Sequence, residues 1–192
     1  LSYTLARFGI ETSFVKPLDI DGWRAAIRPN TRLLFGETLG NPGLDVLDIP
    51  TVSAIAHEAG LPLLVDSTFT TPWLMKPFDV GADLLFHSAT KFLSGHGTVI
   101  GGVLVDSGIF DWASSDRFPE LSEPYGGFHG MVFSEESTVG AFLLRARREG
   151  LRDFGACMSP HTAWLILQGI ETLPLRIARH VENTRKVVAF LA

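Results

Sequence analysis

Hydrophobic positions along this chain alternate between two rhythms. Leu1, Leu5, Ala6 and Phe8 recur at helical spacing and stop at Gly9, as at the tail of a helix closed by a C-terminal glycine. Residues 10–15 are short and β-prone, which predicts a strand. A helix over 19–27 follows, with Asp19 and Asp21 in its first turn, where the helix dipole favours acids. Arg28-Pro29-Asn30 breaks it. Residues 31–36 read as a buried strand and 37–43 as a loop. A second helix opens at Asp48 with Pro50 just inside, carries the stripe Val52, Ile55 and Ala56, and ends at Gly60. The apolar run 61–65 ends in Asp66; residues 67–82, with Pro72 and Pro77, read as loop. Strands over 83–87 and 99–105 complete this half.

Alternation of helices with continuous apolar strands predicts an α/β fold, a mainly parallel sheet covered on both faces. The strands at 31–36, 61–65 and 83–87 all run out into polar residues, so their tips should share one sheet edge. Beyond them, 106–132 is a long Gly-, Ser- and Pro-rich segment holding Trp112, Tyr125 and Phe128. Residues 137–151 have helical spacing, with Val139, Phe142, Leu143 and Ala146 on one face and Arg145, Arg147 and Arg148 on a solvated one. Ser159-Pro160 should cap a helix through Leu167 that Gly169 interrupts. A long helix over 171–192 would bury Leu175, Ile177, Val181, Val187 and Val188, with Pro174 in its first turn.

Composition narrows the function classes. The 192 residues are 46% hydrophobic, enough for a real core, and carry a formal net charge of −5. That balance gives no reason to expect nucleic acid or an anionic membrane surface as partner. No apolar run approaches a membrane span, and no signal peptide is legible, so a cytoplasmic protein is expected. The lone Cys157 excludes an internal disulfide or cysteine metal cluster and reads as a small buried residue. The chain begins Leu1-Ser2-Tyr3 and ends mid-pattern at Phe190-Leu191-Ala192, as a piece of a longer polypeptide would.

The chemistry gathers at the strand tips. Leu84-Leu85-Phe86 empties into Ser88, Thr90 and Lys91, followed by Gly95-His96-Gly97. By itself this could be a surface lysine after an ordinary strand. However, Asn41, Asp66 and Lys91 each follow the last by 25 residues, the repeat of a strand–helix–strand unit, so all three can converge. Together they meet the needs of a pyridoxal phosphate site: an amine for the aldehyde, hydroxyls for the phosphate, and a carboxylate to keep the pyridine nitrogen protonated. Asn41 could donate to the ring oxygen. His87 reads as a structural histidine and His96 as a loop residue, because no second ligand stands at metal spacing from it. A nucleotide-binding α/β domain is the rival class, but no glycine-rich loop joins a strand to a helix here.

Three stretches then resemble a known family. Gly36-Glu37-Thr38-Leu39-Gly40-Asn41-Pro42, the run from Val65 to Pro72, and His87-Ser88-Ala89-Thr90-Lys91-Phe92 are similar to signatures of the Cys/Met-metabolism (trans-sulfuration) enzymes. The resemblance implies pyridoxal 5'-phosphate as cofactor and the three-layer, aspartate aminotransferase-like large domain of the type I PLP-transferases, here partial. That large domain would span residues 1–170, and 171–192 would be a helix leading to a further C-terminal domain. It implies Lys91 as the residue carrying the cofactor, Asp66 facing the pyridine nitrogen, Asn41 the ring oxygen, and Ser88 and Thr90 the phosphate, with Glu37 supporting them. Thr38 and Leu39 stand where the family more often has Ser-Pro.

Within the family, Ser94-Gly95-His96-Gly97-Thr98, the run from Asp106 to Trp112, and Gln168-Gly169-Ile170-Glu171-Thr172-Leu173 look most like the O-acetylhomoserine sulfhydrylase branch. That implies γ-replacement on O-acetylhomoserine by sulfide or a thiol, in a homotetramer. The γ-lyases and cystathionine γ-synthases would keep the same cofactor residues and remain open. A full-length member also supplies an upstream phosphate loop, a ring-stacking tyrosine and a C-terminal arginine. Tyr3 and Arg7 do not fall where that tyrosine and its partners would. An inactive structural piece holding half a site is therefore the alternative of another class.

Overall fold

A computed structural model describes residues 1–137 and 140–192. After a 3-10 turn at Leu5–Phe8, closed by Gly9 as expected, the first helix is α1 (Ile20–Ala26), where Asp19 accepts from Gly22 N at 2.8 Å. Then come β1 (Leu34–Glu37), α2 (Ile49–Glu58), β2 (Leu63–Asp66), α3 (Thr71–Leu74), β3 (Leu84–Ser88) and β4 (Gly102–Asp106). The sheet order is β1-β2-β3-β4; the first three strands are parallel and β4 returns antiparallel to β3. α2 is the crossover between β1 and β2. It starts where Asp48 accepts from Thr51 N at 3.2 Å, with Pro50 in the first turn where no donor is lost. Ile49, Val52, Ile55 and Ala56 pack with Leu34, Leu63, Val65 and Leu85 as one buried cluster. Coverage of the sheet is incomplete: Phe35, Val103 and Leu104 stay exposed, and β4 begins three residues later than its apolar run.

The long segment after β4 is irregular, as its composition indicated, but it is anchored. α4 (Pro119–Ser122) and α5 (Phe133–Glu136) punctuate it. Trp112 and Phe118 are buried, with ring centroids 5.2 Å apart, and Trp112 stacks on Phe142 at 5.3 Å. The helix expected over 137–151 begins only at α6 (Ala141–Arg145) and continues through a π-turn at Ala146–Leu151 into α7 (Arg152–Phe154). Its expected stripe member Val139 lies outside the described residues. Ala141, Phe142 and Leu144 join the core, so the buried face differs from the expected one. Arg145 is not solvated either: its guanidinium sits 4.8 Å from the Tyr125 ring centre, where a cation gains from the ring's negative face.

α8 (Pro160–Glu171), capped by Ser159, runs straight through Gly169 rather than stopping at it. α9 (Leu173–Leu191) follows almost at once. It buries Leu173 and Ile177 and half-buries Val181, whereas Leu175, Val187 and Val188 are exposed. The stripe thus lies on another face than the one expected. Two further expectations fail. Residues 10–15 form no strand, because no neighbour among the described residues completes a ladder, and Phe14 stays exposed. Cys157 is exposed, since it lies in the open stretch between α7 and α8. Among the described residues no helix is long and apolar enough to cross a membrane.

Candidate functional site at the strand tips

The pairing register puts Glu37 beside Asp66 and Asp66 beside Phe86, so the three parallel strands end together. Their tips open into a cavity of about 600 Å³. Glu37 and Asn41 line it from β1 and its loop, Asp66 and Thr68 from β2, and Ser88, Thr90 and Lys91 from β3. All five residues singled out from sequence, together with Glu37, therefore meet in one space. The even spacing works because each parallel strand needs a crossover, and each crossover brings the chain back to the same edge.

Local hydrogen bonds fix each group. The Asn41 N–H donates to Glu37 Oε2 at 3.0 Å, tying the loop back to the strand it left. Asp66 Oδ1 accepts from Thr68 N at 2.8 Å, and among the described residues no side chain or backbone N–H donates to Oδ2. Thr68 Oγ1 in turn accepts from Ser88 N at 2.7 Å, which links the tips of β2 and β3 and leaves the threonine proton free to donate. Beneath them, Thr38, Thr70 and Ser67 form a buried hydroxyl chain, 3.0 and 2.9 Å between successive oxygens. Thr71, buried with φ 59°, is a β-branched residue in the left-handed region; such backbone costs roughly 1–3 kcal/mol and persists only where surroundings impose it.

Lys91 sits in a single π-turn (Ala89–Leu93), with non-helical backbone of its own. The turn closes through Ser94 N to Ala89 O at 3.0 Å and Gly95 N to Lys91 O at 2.8 Å. Ala89 and Leu93 bury against Ile166, Leu173 and Ile177, so α8 and α9 form the seat of the lysine turn. Thr90 Oγ1 accepts from Gly101 N at 3.0 Å and donates to Gly101 O at 3.3 Å, the latter long for a hydroxyl bond and easily redirected. His87 is buried behind the site with its Nδ1–H donating to Ser67 O at 3.1 Å. Burial pushes its pKa below the ordinary 6.5, outweighing the Ser67 carbonyl and the Asp66 charge, which act the other way. His96 is held within the loop by Ser94 O, 2.6 Å from Nδ1. Among the described residues no three His, Cys, Asp or Glu side chains come together as a metal site requires.

Lining side chains to which the sequence reading gave no role include Thr68, Phe69, Phe92, Arg176 and His180. Thr68 had a signal, since an Asp two residues before a Thr at a strand end is a ready side-chain turn. Arg176 and His180 stand one turn apart on α9, and only the helix rotation reveals that they face the cavity. The donor set suits pyridoxal phosphate: one amine, a carboxylate oxygen left free at Asp66, and hydroxyls at Ser88, Thr68 and Thr90 around one cavity.

Comparison with known proteins agrees with that chemistry. The family model for Cys/Met metabolism PLP-dependent enzymes matches residues 1–192. The chain is 47% identical to an O-acetyl-L-homoserine sulfhydrylase of Leptospira meyeri, covering 100% of this chain and 45% of that protein. It is also 47% identical to a homocysteine synthase of Schizosaccharomyces pombe, covering 98% and 44%. A Campylobacter jejuni crystal structure containing N'-pyridoxyl-lysine-5'-monophosphate superposes with a TM-score of 0.94 at 36% identity, over 99% of this chain and 47% of that one. The chain thus spans about half the length of the relatives it matches.

Proposed function

The chain belongs to the Cys/Met metabolism PLP-dependent enzymes, and from that premise we propose that the polypeptide carrying it replaces the acetoxy group of O-acetylhomoserine with sulfide or a thiol. The Cγ–O bond breaks with its electron pair leaving on acetate, and a Cγ–S bond forms from the thiolate. Homocysteine results from sulfide, and methionine from methanethiol. The observation that carries the reading is the convergence of Asn41, Asp66, Ser88, Thr90 and Lys91 on one cavity. The likeness to sulfhydrylases and a homocysteine synthase supports the choice of substrates.

Pyridoxal phosphate, when bound, supplies an electron sink for charge developing at the substrate's Cα. The chain's residues do the rest. Lys91 would hold the cofactor through its amine, and the same amine, when free, would move protons at the substrate's Cα and Cβ. The Asp66 carboxylate would face the pyridine nitrogen and favour its protonated form. Ser88 and Thr68 donate hydroxyl protons to the phosphate. Thr90 joins them by turning its proton from the long Gly101 contact while still accepting from Gly101 N. Asn41 donates its amide to the ring oxygen, on a loop that Glu37 holds in place. The working form is a homotetramer in the cytoplasm, a reading that the large exposed side chains Leu175, Val187 and Phe190 on α9 support for the oligomer.

Borohydride reduction of the full-length protein with pyridoxal phosphate, followed by peptide mass mapping, tests the cofactor half. The expected result is one pyridoxyl group on Lys91 and none after Lys91→Ala, with loss of homocysteine formation from O-acetylhomoserine and sulfide. Retention of a reducible chromophore and turnover by Lys91→Ala would sink the assignment.

A further inference from the structure

Lys91 owes its place to a short turn, and that turn is held at its far end by α9. Gly95 closes the turn by donating to Lys91 O at 2.8 Å. It does so at φ +72°, and a Cβ built there would lie 2.6 Å from Arg176 Cζ, so the guanidinium rests directly against the Gly95 backbone. The guanidinium is itself fixed. Nη2 donates to Gly169 O at 2.7 Å and Nε to Thr172 Oγ1 at 3.1 Å, both at the junction of α8 and α9. Gly169 touches the same turn from the other side, where its bare Cα leaves room for Ser94 O. The planar fork of Arg176 therefore bridges a rigid helix junction and the residue that closes the lysine turn, at the rim of the cavity.

We propose that Arg176 is a positioning residue for Lys91: by bracing Gly95 from the α8–α9 junction, it sets where the lysine amine stands in the cavity. The inference rests on the pyridoxal phosphate reading for its consequence but not for its geometry. Removing the brace frees the Gly95 end of the turn while leaving the buried side chains Ile166, Leu173 and Ile177 that seat Ala89 and Leu93. Lys91 then samples more positions, cofactor capture slows, and the contacts of the lysine with bound cofactor change.

The test compares Arg176→Met, Arg176→Lys and, as a surface control, Arg179→Met in the full-length protein. Hydrogen exchange of the peptide covering 89–97, without cofactor, should speed up about ten-fold in Arg176→Met and less in Arg176→Lys, with α2 and β2 unchanged. A lysine donates from a single point and cannot span Gly169 O and Thr172 Oγ1 together. With pyridoxal phosphate added, the rate of appearance of visible absorbance should fall about ten-fold in Arg176→Met, and the pH midpoint of that absorbance should move. Arg179→Met should match the unsubstituted protein throughout. Exchange, capture rate and pH midpoint all unchanged in Arg176→Met would overturn the proposal. If Arg176→Met does not fold, the same readouts on Arg176→Lys decide. Should the unsubstituted protein capture no cofactor, the proposed function fails, and the exchange arm still judges Arg176.

Discussion

Replacing Gly169 with alanine sets two effects of opposite sign against each other. Gly169 lies inside α8, where alanine is favoured over glycine by about 1 kcal/mol from helix propensity alone. Against this, a Cβ there would stand 2.1 Å from Ser94 O, 2.5 Å from Ser94 C and 2.7 Å from Leu93 O. All three are backbone atoms of the lysine turn, so no side-chain end can swing aside. Relief requires α8 and the α9 start joined to it to retreat from the lysine turn, loosening Ile166, Leu173 and Ile177 from Ala89 and Leu93. Overpacking of this kind costs roughly 1–3 kcal/mol, with rigid atoms on both sides placing this site at the upper end. The net expectation is destabilisation by about 1–2 kcal/mol, read as a lower urea midpoint at unchanged slope. Gly150→Ala is the matched control: a Cβ at that position would have no atom within 4 Å and its φ is not positive, so propensity acts alone and stability should rise by up to about 1 kcal/mol. The reasoning fails if Gly169→Ala is as stable as Gly150→Ala, because α8 would then not be seated on the lysine turn.

Two further expectations concern pH. The folded chain keeps His87 neutral below its ordinary pKa of 6.5, whereas the unfolded chain takes up a proton there, so stability is full above 6.5 and is lost as pH falls below it. His87→Asn should flatten the fall in unfolding free energy between about pH 7.5 and 5.5, by at most about 1.4 kcal/mol per pH unit; identical slopes would refute it. Asp106 has the opposite sign: burial raises its pKa above 3.8, outweighing the Gly108 N–H that lowers it and helped a little by the Asp83 charge, and its buried Oδ2 has no hydrogen-bond partner among the described residues. The unfolded chain releases this proton first as pH rises past 3.8, so the folded state is penalised at neutral pH. Asp106→Asn should therefore stabilise at pH 7, with the gain vanishing below pH 3.8; a loss at pH 7 would contradict the burial argument.

The fold was legible where one physical cause dominates the pattern. β1, β2 and β3 are central or covered by α2, so they read as continuous apolar runs, and Asp19, Asp48 and Ser159 announce helix starts through their capping oxygens. Where two causes share one residue type, sequence reading misassigned it. Glycine can end a helix or admit a close neighbour, and Gly169 does the second. Arginine can face water or cover an aromatic ring, and Arg145 does the latter. α9 carries apolar residues on more than one face, and composition does not say that Leu173 and Ile177, rather than Leu175 and Val188, meet the core. A β-prone run such as 10–15 needs a pairing partner that its own residues cannot supply.

The site divides along the same line. Asp66 and Ser88 are placed by the strands that carry them, and Lys91 by the turn that directly follows β3, so their approximate positions are visible in sequence. Thr68 and Arg176 owe their roles to what touches them, Ser88 N in one case and Gly95 in the other, and those contacts cross 20 residues or more of chain. The two hydroxyls of Ser88-Ala89-Thr90-Lys91 illustrate the difference within a single motif. Thr90 is committed to Gly101 through both its lone pair and its proton, and so it fastens the lysine turn to the start of β4 as well as facing the cavity. Ser88 has its backbone N–H satisfied by Thr68, and its side chain has no hydrogen-bond partner among the described residues. A phosphate therefore meets a free donor at Ser88, a second at Thr68, and at Thr90 a donor that must first release a weak bond. Ser88 and Thr68 carry the larger share of phosphate affinity on this reasoning, and Thr90 the larger share of keeping Lys91 where that affinity is useful.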